Sequence, residues 1–370
     1  RFMQAMRRVA ILGGVRIPFC RNNTAYFDIG NLGLSTIVLG GLVEKFQLQG
    51  QILGEVAMGA VLKHSSDFNL AREATLSSGL SPHTPGITIT RACGTGLDSL
   101  ITVANKIAVG QIEAGIGGGS DTTSDVPIAV SKKLRRRLLD LNRARSLGER
   151  IKAALKGFSL GEFKPEFPGV AEPRTGKSMG ESCEDMAKQW QIRREDQDLL
   201  AYESHQKAAA AYARGFYSDL VMPLRGLDKD NILRPDTTLE KLATLKPAFD
   251  KRSGNGTLTA GNSTNLSDGA SAALLSSEAW AQANGKEIQA YLVDAQVAAV
   301  DFVAGEGLLM APAWAVAQLL KRNSAYKPSD RDRNAKARRS PPLSSRHLLP
   351  GCRRRRGDDK ARLSVRCRGQ

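Results

Sequence analysis

Long apolar runs are missing from this sequence of 370 residues, and no stretch reaches the roughly 18 apolar residues of a membrane-spanning helix. The N-terminal segment Arg1-Phe-Met-Gln-Ala-Met-Arg-Arg has no apolar secretory core either. Cysteine is scarce, and its five copies stand far apart, at positions 20, 93, 183, 352 and 367. An odd and dispersed set is typical of free thiols in a reducing compartment. These absences predict a cytoplasmic protein without a membrane span.

Aromatic residues are also rare, at 5% of the chain, whereas glycine occurs 36 times. This composition suits an α/β protein in which many turns join strands to helices. Short runs of strand character lie at 9–15, 52–58, 86–90 and 114–116, and segments with helical spacing separate them. The alternation predicts a mostly parallel sheet with helices packed against it.

Two common nucleotide-binding motifs are absent. The pair Gly13-Gly14 follows a strand run, but no G-x-G-x-x-G pattern continues it. The segment Gly176-Lys177-Ser178 superficially resembles a phosphate loop, yet Ala171 stands where that motif requires its first glycine. A third turn-forming stretch, residues 257–269, is rich in hydroxyl side chains. It forms either a ligand rim or a set of structural turns, and its spacing favours neither.

A formal net charge of +16 is typical of nucleic-acid binding, but the charge is concentrated at one end of the chain. Residues 321–370 contain 17 Lys and Arg against 4 Asp, so residues 1–320 carry a net charge of only +3. Arginine-rich sequence without aromatics or periodicity is typical of disorder, and we predict no specific nucleic-acid partner. His347, Cys352 and Cys367 are irregularly spaced and have no fourth partner, so we predict no metal site.

Helical patterns and loops replace the strand runs from residue 126 to residue 249, which predicts an inserted domain. Its first part, residues 132–156, has ten Lys and Arg against two acidic residues, interrupted by leucine and isoleucine. Such a segment either lies on an anionic membrane surface or a partner, or presents a solvated basic face.

Cys93 lies where the apolar period changes. Ile87 and Ile89 alternate with polar residues as in a strand, and helical spacing begins just beyond the cysteine. The N–H groups at a helix N-terminus carry partial positive charge, which favours a thiolate and can hold an oxyanion. Gly94 and Gly96 leave room for a substrate carbonyl. Cys93 is therefore the candidate nucleophile, and the alternative is a small buried core residue.

Specific motifs follow one another in a fixed order along the chain. They occupy residues 59–72, 93–96, 118–124, 179–184, 233–238, 245–249 and 259–270. In this order they resemble the thiolase family, in the longer type similar to the beta subunits of fatty-acid oxidation complexes. Cys93-Gly-Thr-Gly96 matches the family's Cys-x-Ser/Thr-Gly nucleophile segment, and Met179-Gly-Glu-Ser-Cys-Glu resembles the start of its loop domain. The resemblance covers roughly residues 7–325.

The resemblance implies an α/β thiolase fold, in which two similar half-domains of layered sheets and helices carry an inserted loop domain. Four segments are expected: an N-terminal half-domain at 7–125 completed by 250–285, a loop domain at 126–249, the start of a C-terminal half-domain at 286–327, and a basic tail at 328–370. We expect the C-terminal half to be incomplete and the tail to be disordered or frame-shifted.

The resemblance also implies a reaction. Cys93 would attack the keto carbonyl of a 3-ketoacyl-CoA, release acetyl-CoA and pass the acyl group to coenzyme A, which is a substrate rather than a permanently bound cofactor. Met179, Arg234 and Thr264 align with residues that contact coenzyme A. A homodimer is implied as well, and residues 132–156 resemble the basic insertion of the membrane-associated type.

The sequence lacks the Gly-His-Pro and Cys-x-x-Gly-Gly segments that supply the family's proton-transfer groups near the C-terminus. This departure predicts little or no turnover. One alternative is accordingly a non-catalytic thiolase-like subunit, held by a hydratase/dehydrogenase partner or by a membrane. A second alternative is a beta-ketoacyl synthase, which shares the fold and a cysteine nucleophile.

Overall fold

The computed structural model describes residues 6–323. Its strands are β1 (Val9–Arg16), β2 (Cys20–Arg21), β3 (Glu55–Met58), β4 (Gly86–Thr88), β5 (Ala114–Asp121), β6 (Ser267–Ser277) and β7 (Ala290–Leu292). Its α-helices are α1 (Asn31–Phe46), α2 (Leu70–Ser77), α3 (Thr95–Ala108), α4 (Lys132–Arg143), α5 (Leu147–Leu155), α6 (Met179–Gln189), α7 (Arg194–Ala213), α8 (Leu239–Ala243), α9 (Glu278–Ala283) and α10 (Ala311–Arg322).

One sheet organises the described residues, with the strand order β4-β3-β5-β6-β1-β7 and β2 paired to β6. Only β3 with β4 and β3 with β5 pair in parallel, whereas β6 runs antiparallel to both β5 and β1. The predicted mostly parallel sheet is therefore wrong. Short crossovers keep β3, β4 and β5 parallel. The chain reaches β6 only after residues 122–266, and that long connection lets it enter in the opposite direction.

The sheet buries an apolar core on each face. Leu42 of α1 and Leu274 of β6 belong to the larger core, which α1 and α2 cover. Ile107 of α3 and Leu275 of β6 belong to the smaller core on the other face. Neighbouring residues of one strand enter different cores because strand side chains alternate between faces. This arrangement places α3, the helix that follows Cys93, directly on the sheet.

Glycines extend β5 beyond the predicted apolar run, which ended at Ile116. A Cβ atom on Gly117 would lie 2.7 Å from the Leu100 backbone of α3, closer than Cβ atoms approach other heavy atoms. The missing side chain lets α3 pack closely on the strand, so glycine here serves packing rather than a turn. The strand consequently carries Gly119, Ser120 and Asp121 to the site.

Helices α4–α8 and loops occupy residues 126–249, as the sequence pattern predicted. No residue of α4 or α5 is buried, whereas α6 packs so closely that a Cβ on Gly180 would overlap the Phe249 ring. The expected domain boundaries stay predictions. No helix within residues 6–323 combines the length and apolarity needed to cross a membrane.

The last described segment contributes β7, which pairs with β1, and α10, which buries no residue. The predicted basic tail at 328–370, with His347, Cys352 and Cys367, lies outside the described residues.

Candidate active site

Cys93 is solvent-exposed and stands just before Gly94, the N-cap of α3. The alternative of a buried core cysteine is therefore wrong. The preceding residue, Ala92, has a φ of +42°, a left-handed conformation that costs free energy for a residue with a side chain. A sharp strand-to-helix turn of this kind presents the nucleophile in α/β hydrolases.

Hydrogen bonds of the turn itself hold this backbone. The Arg91 N–H donates to Thr95 Oγ1 at 2.8 Å, and that hydroxyl donates to the Ala92 carbonyl at 2.7 Å. The Gly94 N–H donates to the Arg91 carbonyl at 2.9 Å. Because Thr95 is buried, the turn is anchored in the protein and fixes the position of Cys93.

Three backbone donors around this turn have no acceptor among the described residues: the N–H of Cys93 itself, and those of Gly96 and Leu97 in the first turn of α3. The last two are the unpaired amides expected at the beginning of a helix. Their partial positive charge favours an anion at this point. The turn can therefore stabilise both a reactive sulfur and the oxyanion that forms when it attacks a carbonyl.

The thiol lies in an open cleft of about 260 Å³. Its lining residues are Phe19, Gly59, Ala92, Cys93, Thr95, Gly96, Gly119, Ser120, Asp121, Ser267, Gly269, Ala270 and Ser271. Two lining glycines lie where a side chain would be crowded. A Cβ on Gly59 would overlap the Ile89 carbonyl, and one on Gly119 would lie 3.0 Å from the Gly59 carbonyl oxygen. The cleft is thus shaped largely by backbone, which suits an elongated substrate.

Asp121 is the ionisable side chain that shares this cleft with Cys93 within residues 6–323. Its Oδ1 accepts from the N–H groups of Val61 (2.8 Å) and Leu62 (3.2 Å). Burial raises the pKa of the Asp121 carboxyl, and the two backbone hydrogen bonds act in the opposite direction. Sequence reasoning missed this residue, although its place at the end of a strand was a usable signal.

Asp268 shows that the turn-forming stretch 257–269 contributes both structure and site. Its buried carboxylate accepts from the Thr122 hydroxyl at 3.0 Å and from the Thr123 N–H at 2.7 Å. It therefore holds the segment just beyond β5 against the beginning of β6. The next residues, Gly269 and Ala270, line the cleft.

The three residues aligned with coenzyme A contacts lie elsewhere. Met179 is the first residue of α6, Arg234 lies in a turn after α7, and Thr264 precedes β6, all three being exposed. None of them lines the Cys93 cleft.

The structure connects the elements that carry these three residues. Glu184 of α6 accepts from the N–H groups of Thr257 and Leu258, each at 2.8 Å. Asp198 of α7 accepts from the Asn262 side-chain amide at 2.9 Å. The inserted helices are thereby fastened to the segment that leads to Thr264 and β6.

The remaining described cysteines are less accessible. Cys20 is buried, and Cys183 is partly buried, which raises the pKa of its thiol. Within residues 6–323 no three potential ligands form a group that could hold a metal ion.

Comparisons with known proteins converge on one family. The sequence model described as "Thiolase, N-terminal domain" matches residues 9–279, a range that contains the whole cleft. The 3-ketoacyl-CoA thiolase of Shewanella baltica is 40% identical over 321 residues, which cover 85% of this chain and 72% of that protein.

Two solved structures are similar in both fold and sequence. Human mitochondrial 3-ketoacyl-CoA thiolase in complex with CoA gives a TM-score of 0.69 at 28% identity, covering 84% of this chain and 75% of that chain. The Bacillus anthracis acetyl-CoA acetyltransferase gives a TM-score of 0.72 at 28% identity, covering 88% of this chain and 78% of that chain.

Proposed function

The chain belongs to the thiolase family, and we propose that it transfers acyl groups between acetyl-CoA and acyl-CoA through an acyl-Cys93 intermediate. The reaction is the thiolytic cleavage of a 3-ketoacyl-CoA in fatty-acid beta-oxidation, or the reverse condensation. The exposed Cys93 thiol carries the proposal, because it stands just before α3 in a glycine-lined cleft, where the N–H groups of Cys93 and Gly96 have no acceptor among the described residues.

Cleavage begins when the Cys93 sulfur bonds to C3 of the 3-ketoacyl-CoA, and the C3 oxygen becomes an oxyanion beside the Cys93 N–H. The C3 carbonyl then re-forms while the C2–C3 bond breaks. The electron pair of that bond stays on C2, which takes up a proton from water, and the fragment leaves as acetyl-CoA. A second coenzyme A gives its thiol proton to water, and its sulfur bonds to the acyl carbon of the Cys93 thioester. The bond between the Cys93 sulfur and that carbon then breaks, the shortened acyl-CoA departs, and the electron pair returns to the Cys93 sulfur.

Coenzyme A is thus a substrate, and the proposal includes no permanently bound cofactor. We assign its contacts to Met179, Arg234 and Thr264. Hydrogen bonds support this assignment. They link α6, which carries Met179, and α7 to the segment 257–262 that precedes Thr264, and they link α7 to the turn that carries Arg234.

Mass spectrometry of the purified chain after incubation with a 3-ketoacyl-CoA tests the nucleophile. We expect an acyl adduct on the peptide that contains Cys93, with release of acetyl-CoA. Cys93→Ala should abolish the adduct. The adduct is the readout because the sequence lacks the family's C-terminal proton-transfer segments, so we expect little turnover even in the parent chain. Cys183→Ser is the matched control and should retain the adduct, because that thiol is partly buried on α6.

Two results would favour the alternatives. A folded chain that binds coenzyme A but forms no adduct would support a non-catalytic thiolase-like subunit. Acceptance of carrier-protein thioesters in place of coenzyme A thioesters would support a beta-ketoacyl synthase.

A homodimer is part of the proposal, and β4 supports it, because its outer edge pairs with no strand within residues 6–323. This strand ends the sheet, and Ile87 on it and Leu97 at the beginning of α3 expose 37% and 64% of their surface. Unpaired strand edges and exposed apolar side chains favour pairing with another chain. Sedimentation analysis should give twice the monomer mass and a shift towards monomer for Leu97→Glu. A monomeric parent chain would refute the dimer.

Peripheral membrane contact through residues 132–156 is a separate proposal for a protein that we place in the cytoplasm. Helices α4 and α5 expose Leu138, Leu147, Ile151 and Leu155 among their basic residues. Amphipathic basic helices of this kind bind anionic lipid surfaces. The chain should sediment with anionic vesicles and not with neutral ones, and Ile151→Asp should weaken that binding. Failure to bind vesicles, with retention of a hydratase/dehydrogenase subunit, would favour the protein partner.

A further inference from the structure

Two adjacent residues of helix α7 form hydrogen bonds with the turn that carries Arg234. The Arg234 N–H donates to His205 Nδ1 at 3.3 Å. The Gln206 side-chain amide donates to the Pro235 carbonyl at 3.0 Å and to the Thr237 carbonyl at 3.5 Å. The turn is closed by a hydrogen bond of 3.2 Å from the Thr237 N–H to the Arg234 carbonyl. His205 and Gln206 therefore bind three backbone groups of a single turn: the Arg234 N–H and the carbonyls of Pro235 and Thr237.

The hydrogen bond to Arg234 requires a neutral imidazole, because Nδ1 can accept only while it carries no proton. Partial burial lowers the pKa of His205, as does the positive charge of Arg234, while Asp236 acts to raise it. Lys241 of α8 lies 3.6 Å from the Asp236 carboxylate and offsets part of that charge. The imidazole is thus neutral at neutral pH.

Protonation of His205 has two consequences for the turn. Nδ1 becomes a donor and faces the Arg234 N–H, so the hydrogen bond is lost. The imidazolium also adds a second positive charge that interacts with the Arg234 side chain, and like charges repel each other.

We infer that His205 is a positioning residue that sets the Arg234 turn, so that the affinity for coenzyme A falls when His205 takes up a proton. The inference rests on the proposed contact between Arg234 and coenzyme A. Gln206 is the second positioning residue of the same turn, and it does not titrate. Loss of either residue loosens the turn, but only His205 makes the affinity depend on pH.

Calorimetric titration of the full chain with coenzyme A from pH 8 to pH 5 tests the inference. The parent chain should lose about fivefold in affinity towards pH 5, as expected for one lost hydrogen bond. His205→Asn keeps an acceptor near Nδ1 without titrating in this range, so its loss of affinity between pH 8 and pH 5 should be about fivefold smaller than that of the parent chain. The protonation of the coenzyme A phosphate monoester, whose second pKa is about 6, affects both proteins equally and cancels in this comparison. Gln206→Ala should bind coenzyme A more weakly at every pH and keep the pH slope of the parent chain. The exposed control His83→Asn should keep both the affinity and the pH slope of the parent chain.

Hydrogen exchange of the peptide 230–238 supplies a readout independent of the ligand. His205→Ala should exchange faster there, whereas His205→Asn should retain protection. Unchanged exchange in His205→Ala, or a parent-like pH slope in His205→Asn, would overturn the inference. Arg234→Ala distinguishes the proposed contact from the positioning role of His205. Undiminished affinity for coenzyme A in this variant would refute the Arg234 contact, regardless of the hydrogen-exchange rate measured for the turn.

Discussion

Cys93 obtains its surroundings mainly from backbone atoms. The left-handed Ala92, the N-cap Gly94 and the glycines of the cleft leave the thiol open to solvent just before α3 begins. The sequence predicted this position because the change of period at Cys93 is a local feature. It did not predict that Asp121 lines the same cleft, since that placement depends on how β5 lies beside α3.

The Asp121 carboxyl leads to a prediction with a defined pH dependence. Burial raises its pKa in the folded state above the value of about 3.9 in the unfolded chain, so folding favours the protonated form. The contribution of Asp121 to stability is thus greatest below pH 4 and declines as pH rises through the folded-state pKa. The side chain at this position stays neutral in the variant Asp121→Asn. The free energy of unfolding of this variant relative to the parent should therefore rise from about pH 4 to the folded-state pKa of Asp121 and then level off.

Asp121→Ala is the matched comparison. It leaves the N–H groups of Val61 and Leu62 without their acceptor and should lower the free energy of unfolding by about 1 kcal/mol. Urea unfolding of the three proteins between pH 4 and pH 8 measures both effects. Parallel stability curves for parent and Asp121→Asn would contradict the assigned pKa direction.

The elements differ in how far their sequence determined them. The segments of helical spacing predicted between the first four strand runs contain α1, α2 and α3, because helical spacing is a local feature of the sequence. The strand β5 ran five residues beyond its predicted end, because its glycines pack against α3. The strand propensity of a single segment does not reveal that packing of β5 against α3.

The pair formed by α4 and α5 depends on one ion pair. Arg137 of α4 contacts the buried Glu162 at 2.6 Å and also donates to the Ala153 carbonyl of α5 at 2.9 Å. Breaking a buried pair is costly because the remaining charge loses its partner. Arg137→Ala should therefore make residues 132–163 more susceptible to limited proteolysis.

Arg136→Ala is the control on the same helix, since Arg136 is exposed and lies 3.8 Å from Asp140. Exposed pairs contribute little to stability, so its digestion pattern should match that of the parent. Equal digestion of both variants would show that the Arg137 pair does not hold the two helices together.

At the scale of the whole molecule, the inserted helices and the sheet are joined through buried carboxylates. Asp268 holds the segment just beyond β5 to the beginning of β6 at sequence separations of 144 to 146. Glu184 holds α6 to Thr257 and Leu258 in the same connection. The position of β6 is therefore coupled to the helices inserted before it.

Glu184→Ala tests this coupling. Its buried carboxylate accepts from the N–H and hydroxyl of Thr257 and from the N–H of Leu258, so removal should cost about 3 kcal/mol in the free energy of unfolding. Glu181→Ala, an exposed capping residue one turn earlier on α6, should cost much less. Chemical unfolding compares the two, and similar losses would show that Glu184 does not carry the coupling.

The sequence by itself determined the features that depend on near neighbours: the helices, the strand run before Cys93, and the ordered motifs that indicated the thiolase family. Only the tertiary structure decided the direction of β6, the joining of Phe19, Cys93 and Ser271 in one cleft, and the grip of His205 on the Arg234 turn. These features bring together residues far apart in the chain, and their geometry depends on which surfaces pack. Local periodicity does not contain that information.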